Sequence, residues 1–299
     1  MRGMIRLAAE SMGSVVAVLC ADTQASLGVV HSVFKRAFNV LCTDGTLISF
    51  SVRGTPNFPS NIVTDCSEGV SLQALGIVPG QQVHCRLGAV AVGEVKIELG
   101  GNTYYPALTK GQPTLRQELL PAMLARAGRY ARATLHSSTS DAFAESVRHN
   151  LGALSLAVKS GSQPELYAHR LLGLGAGLTP AGDDALAGFM VALHFATLAQ
   201  HGCEHKNQSL TALCERLIAP RRTATTIFSQ GMLCCAARGH FTDVAEDLLL
   251  ALLAGHEDAL PALVARQLSI GASSGADQLR GMLVGLSTAM GHGPLLGDL

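Results

Sequence analysis

The chain has 299 residues, 48% of them hydrophobic, and its 22 Lys and Arg are balanced by 22 Asp and Glu. That length supports two domains or one large one with ample core. Zero net charge, with no basic stripe and no polybasic run, argues against nucleic acid or a membrane surface as partner. Trp is absent and Gly is abundant, so close helix–helix approach through small residues is expected, not a core of large rings.

The cysteines, at 20, 42, 66, 85, 203, 214, 234 and 235, form no C-x-x-C pair and no zinc-like spacing. They read as small buried hydrophobes in a reducing compartment. Glu10 and Ser11 interrupt any apolar run near the start, leaving too little for a signal peptide. The longest apolar stretch, 185–199, contains His194 and falls short of the roughly 20 residues a membrane span needs. The expectation is a soluble, cytoplasmic protein.

In chain order, 14–20, 26–34, 37–42 and 46–52 are short runs rich in Val, Ile, Phe and Leu, separated by Asp22-Thr23, Lys35-Arg36 and Asp44-Gly45. These are strand signals, and Asp-Gly marks a hairpin. Two prolines make 55–61 a loop. The strand pattern resumes at 82–90 and 94–99 and ends at the turn Gly100-Gly101-Asn102. Evenly spaced short strands predict a small antiparallel β barrel or sandwich.

From Pro113 the period changes. Leu115, Leu119, Met123, Ala127 and Tyr130 recur at helical spacing, and helices are predicted over 141–159 (after a Ser/Thr-rich break), 185–199, 207–218, 223–237, 242–253, 259–268 and 275–290. The predicted architecture is therefore α+β, with a β-rich domain over 1–110 and a larger all-α domain over 111–299.

One stretch of the helical half carries more than packing demands: Gly173-Leu174-Gly175-Ala176-Gly177-Leu178-Thr179-Pro180-Ala181-Gly182-Asp183-Asp184. Glycines permit tight turns and close approach. Thr179 and Asp183 are possible caps, and Pro suits a first helical turn. A helix start offers free N–H groups and a positive dipole end to an anion. The pair Asp183 and Asp184 has instead the chemistry to hold Mg²⁺. The plainer alternative is a tight loop capped by its own carboxylates.

The segment 182–193 aligns without gaps on 275–286, with Gly, Asp, Leu, Gly, Val and Leu coinciding, and each copy follows a loop of small and hydroxyl residues, Thr179-Pro180-Ala181 and Ala272-Ser273-Ser274. Asp184 and Asp277 each lie four residues before a glycine, Gly188 and Gly281, on one helical face. Bare faces at those glycines would let two helices cross closely and turn both aspartates into a shared space. A mutual packing of two helices, each capped by its own Asp, would also account for the match.

A third polar cluster begins at Pro220. Arg222, Thr226 and Ser229 fall at i, i+4 and i+7, and two arginines at a helix start oppose the dipole unless they bind a carboxylate or phosphate. Solvation of an exposed Arg pair is the alternative. His194 and His84 read as satisfied core histidines. No G-x-S-x-G, P-loop or H-E-x-x-H is present, and Gly173-x-Gly175-x-Gly177 is not the dinucleotide fingerprint.

The blocks 173–184, Arg222-Thr223 and Ser273-Ser274-Gly275-Ala276-Asp277 resemble the hallmark blocks of a bacterial family long labelled a domain of unknown function, which includes the AllH subunit of oxamate carbamoyltransferase from anaerobic allantoin degradation. The resemblance spans the helical half; the β-rich half is similar only in general layout. It implies a part, with partner carbamoyltransferase subunits, in converting oxalurate and phosphate to oxamate and carbamoyl phosphate, a step of purine catabolism. The Ser-Thr-Arg-Thr motif of aspartate and ornithine carbamoyltransferases is absent, so their mechanism does not carry over. The expected site has Asp183, Asp184 and Asp277 as catalytic groups, the first two as possible Mg²⁺ ligands. Gly175, Gly177, Thr179, Gly182, Arg222, Thr223, Ser273 and Ser274 are its expected ligand-binding residues. The alternatives are a non-catalytic subunit that binds or senses a small anion, and a metal-dependent hydrolase.

Overall fold

The computed structural model describes residues 4–21, 26–134, 143–202 and 204–291. The turn expected at Asp22-Thr23, the Ser/Thr-rich break before 143 and Cys203 lie outside them. The chain divides into two compact units, Met1–Pro106 and Ala107–Leu299.

The first unit contains β1 (Ile5–Gly13), α1 (Ser14–Ala21), β2 (Ser26–Val33), β3 (Ala37–Cys42), β4 (Leu47–Ser51), β5 (Asn61–Thr64), β6 (Gln82–Arg86), β7 (Ala89–Val92), β8 (Val95–Glu98) and β9 (Asn102–Tyr104). The strands run in the order β5-β4-β3-β2-β6-β7-β8-β1, and a further β5–β1 pairing closes them into a barrel, with β9 added beside β1. Most seams are antiparallel, whereas β4–β5 and β1–β8 are parallel. Alternation turns Phe38, Val40, Ile48, Phe50, Val83 and Val90 into the core. Phe38 and Phe50, partners in register, stack with ring centroids 4.6 Å apart, a separation typical of favourable aromatic pairs.

Two local expectations are corrected. Residues 14–20 form a helix, not a strand. A short apolar run has no decisive period, and here the chain leaves β1 at Gly13, where an added Cβ would sit 2.2 Å from the Pro59 carbonyl oxygen. Val15 N–H donates to that same oxygen, and Val16 drops fully buried into the barrel core. The single strand expected over 82–90 is a hairpin, because Leu87 and Gly88 both adopt positive φ (49° and 73°). That geometry belongs to a tight two-residue turn, and Leu is an unusual residue to supply it. β1, β5 and β9 are strands that the residue pattern did not signal.

The second unit is helical: α2 (Leu120–Thr134), α3 (Ala144–Ser160), α4 (Pro164–Leu171), α5 (Ala181–His201), α6 (Glu204–Leu217), α7 (Arg221–Ala224), α8 (Ile227–Ala236), α9 (Asp243–Ala254), α10 (Leu260–Leu268) and α11 (Ser274–Ala289). Its centre is α5, buried on every side from Ala181 through Phe195, as a helix apolar all round must be. Among the described residues no helix is long and apolar enough to cross a membrane.

The principal partner of α5 is α11. An added Cβ at Gly188 would lie 2.2 Å from the Gln278 carbonyl oxygen, and one at Gly281 would lie 2.0 Å from that of Ala185. The expected close crossing is therefore made through these glycines. Asp184 meets Gln278 at one end and Gln200 meets Met290 at the other, so the two helices run in the same direction. Their starts lie together.

Candidate functional site

The Gly-rich stretch is a loop joining α4 to α5. Gly173, Gly175 and Gly177 all adopt positive φ (72°, 124° and 94°). An added Cβ at Gly173 would strike the Ala224 carbonyl oxygen at 2.2 Å, so this glycine brings the loop against the turn between α7 and α8. That turn breaks the helix expected over 223–237 into two, and Thr226 becomes the N-cap of α8 by accepting from Ser229 N–H at 3.2 Å. The Thr226 hydroxyl also donates to the Leu178 carbonyl at 2.5 Å, fastening the turn to the loop.

Between loop and turn lies an open pocket of about 370 Å³. Gly173, Gly175, Gly177 and Pro180 line one wall and Thr223, Ala224, Thr225 and Thr226 the other. Asp183 ties the walls together from behind. Its Oδ1 accepts from Gly173 N–H at 2.9 Å and its Oδ2 from the Thr225 hydroxyl. Burial pushes the Asp183 carboxyl above the usual carboxylate range, while Thr225, Gly173 and Ser229 pull it back. A carboxylate with both oxygens bonded, one to a backbone N–H and one to a hydroxyl, is a positioning group.

Arg222 is exposed on the short helix that supplies the second wall, next to Thr223. Among the described residues its guanidinium makes no hydrogen bond or ion pair, whereas Arg221 donates to Cys234 Sγ at 3.0 Å and to the Ile218 carbonyl at 3.2 Å. The two arginines thus divide the work: one is structural, the other is available.

Asp184 turns elsewhere. It is 1% exposed, and its Oδ1 accepts from Gln278 Nε2 at 2.9 Å. Gln278 in turn accepts at 3.0 Å from Gln267 of α10, which also donates to the Gly275 carbonyl. Burial raises the Asp184 carboxyl to about 7, opposed by Gln278 and the nearby hydroxyls of Ser274 and Thr179, with Asp277 adding repulsion. Those hydroxyls favour the ionised form by hydrogen bonding to the carboxyl. They bond each other at 3.0 Å.

The expected residues therefore fall into two groups. Gly175, Gly177 and Thr223 line the pocket, with Asp183 behind it and Arg222 beside it. Thr179, Ser274, Asp184 and Asp277 gather at the junction of α5 and α11. Asp184 and Asp277 feel one another there, but each has a separate partner, since Asp277 takes Arg280 Nη1 at 2.6 Å. Gly182 serves packing: its Cβ would meet the Leu171 carbonyl oxygen at 2.1 Å. Neither Asp183 nor Thr179 caps α5, whose N-cap is Pro180, and Ser273 stands at the N-cap of α11 without a side-chain bond. Among the described residues no group of three or more His, Cys, Asp and Glu is arranged to hold a metal ion. His194 is a satisfied core residue, with its ring nitrogens 2.6 Å from Asn207 Oδ1 and 2.9 Å from the Ala237 carbonyl.

Thr225, Gln267, Gln278 and Arg280 were not marked as site residues by the sequence. The helix break at Thr225 and the offset between α5 and α11 decide their roles, and neither is visible as a local pattern.

The family profile described as oxamate carbamoyltransferase subunit AllH matches residues 171–286, and that of the AllH family N-terminal domain matches residues 8–104. The chain belongs to the AllH family. The first match begins at the last residue of α4 and contains the Gly loop, both pocket walls and the α5–α11 junction; the second covers the barrel. No curated protein and no solved structure matches this AllH-family chain.

Proposed function

We propose that this chain is the small-anion-binding subunit of an oxamate carbamoyltransferase-like enzyme acting in cytoplasmic allantoin degradation. The pocket between the Gly loop and Thr223–Thr226 carries this reading. Its lining glycines offer backbone N–H donors to a carboxylate or phosphate oxygen, the threonine hydroxyls being already committed to Pro220, Asp183 and Leu178, and Arg222 beside it has paired donors with no partner among the described residues. Oxalurate, oxamate, phosphate and carbamoyl phosphate are all anions of the size such a pocket takes.

In the proposed reaction a phosphate oxygen attacks the carbamoyl carbon of oxalurate. The bond from that carbon to the oxamate nitrogen breaks, and the nitrogen takes a proton. Asp183 fixes the two walls relative to each other, so that the donors are oriented before the ligand arrives. The lining residues Gly, Pro, Ala and Thr include no strong base. That composition favours the reading in which this chain binds and partner subunits complete the reaction.

Calorimetric titration of inorganic phosphate, oxamate and oxalurate into the full chain tests the binding, with binding by at least one of them expected. Arg222→Ala should weaken it about tenfold, equivalent to about 1.4 kcal/mol. Turnover of oxalurate and phosphate should require the reconstituted complex. Absence of binding by all three, together with unchanged activity of a complex carrying R222A, would overturn the proposal.

A further inference from the structure

The second wall of the anion pocket rests on a helix too short to hold itself. α7 has four residues, and a single helical turn fixes more backbone than its hydrogen bonds repay. The last carbonyls of a helix need partners from outside, and here α8 supplies them. Gln230 Nε2 donates to the Thr225 carbonyl at 3.2 Å and reaches the Arg222 carbonyl at 3.5 Å. A primary amide carries two N–H donors, so one side chain serves both ends of the wall. One turn further along the same face of α8, Cys234 Sγ accepts from Arg221 at 3.0 Å. Arg221 is thereby anchored. Its neighbour Arg222, whose guanidinium has no partner among the described residues, takes its direction from a backbone held at Arg221 and at Thr225.

We propose that Gln230 is a positioning residue for anion binding: it fixes the turn between α7 and α8 so that Arg222 meets the ligand held by the Gly loop. The inference rests on the reading of the pocket as an anion site and adds to it the group that aims the guanidinium. A long, flexible side chain orders on a ligand at low cost only when its backbone is fixed beforehand. Gln230 is not among the residues that line the pocket, and an uncharged amide adds nothing to the long-range attraction of an anion. Its effect on the ligand therefore passes through the turn.

Calorimetric titration of inorganic phosphate, oxamate and oxalurate into the unmodified full chain, Gln230→Met, Arg222→Ala and the double variant tests this. Methionine keeps the length of glutamine and removes both donors. Q230M should weaken the tightest of the three about threefold to tenfold, the worth of a neutral hydrogen bond. With R222A already present, Q230M should change the affinity by less than about twofold, because the two residues act in series. A general loosening of the fold would instead lower the affinity in both backgrounds. Additive losses in the double variant, or no loss from Q230M alone, overturn the inference and leave the anion site standing. Hydrogen exchange of the ligand-free chain is a second readout that no ligand enters. In Q230M the amides of 221–226 should exchange at least about threefold faster than in the unmodified chain, with those of α5 unchanged. Equal exchange at 221–226 overturns the inference as well. Failure of the unmodified chain to bind any of the three anions, with faster exchange in Q230M, sinks the anion reading and takes this inference with it.

Discussion

Asp183 and Asp184 are neighbours in one helical turn and both are buried, yet the regions they serve differ in kind. On the Asp183 side a loop, a turn and a carboxylate satisfy one another and leave an open pocket lined by backbone and hydroxyls. On the Asp184 side two helices meet so closely that only glycine fits, and the polar groups trapped between them pair with one another. Adjacent helical positions point about 100° apart, so a single step along the chain turns one carboxylate to the pocket walls and the next to the helix crossing. Residue type alone does not assign a role; the direction in which the side chain leaves the helix does.

The contrast is broken most severely at the crossing. Gly188→Val or Gly281→Leu places side-chain atoms inside the backbone of the facing helix, and a loss of about 3 kcal/mol or more is expected, read as collapse of the thermal melt. Asp183→Ala strands the Gly173 N–H and the Thr225 hydroxyl and should cost about 2–3 kcal/mol in chemical denaturation. It should also abolish phosphate binding, because the pocket walls separate.

The Asp184 side should show itself in pH. Its carboxyl is raised to about 7 by burial, so the folded state holds that proton more tightly than the unfolded chain does. Its contribution is then fully favourable below about pH 4 and is lost as pH rises through about 7. The difference in melting temperature between Asp184→Asn and the unmodified chain should grow in the variant's favour across that interval. A pH-independent difference would contradict this. Thr226→Val removes the N-cap of α8 and should cost about 1 kcal/mol. Arg222→Ala touches only solvent and should change stability by less than about 0.5 kcal/mol; its effect belongs to anion binding.

Much of this contrast can be read from the chain itself. The change from a period of two to a helical period near Pro113 separates barrel from helices. The repeated Asp-x-x-x-Gly spacing, Asp184 to Gly188 and Asp277 to Gly281, anticipates the crossing, because only a bare helical face allows it. The split in the polar residues could not be read in the same way. Thr225 acquires its role from a break between α7 and α8, where the amphipathic pattern runs on without interruption. Gln278 rather than Asp277 meets Asp184, because the meeting residue depends on how two helices are offset. In the barrel, the run at 14–20 is apolar throughout and takes its helical form from the turn forced at Gly13 and Pro59.

The barrel's closing seam has a consequence in time. β1 pairs Ala9 with Thr64 and Ile5 with Val95, so a strand from one end of the unit waits for partners far along the chain. Contacts so distant in sequence form late. Until they form, β5 and β8 present open edges to any other strand in reach. The interval before β1 docks is therefore when this unit is most exposed to strand exchange with a second copy.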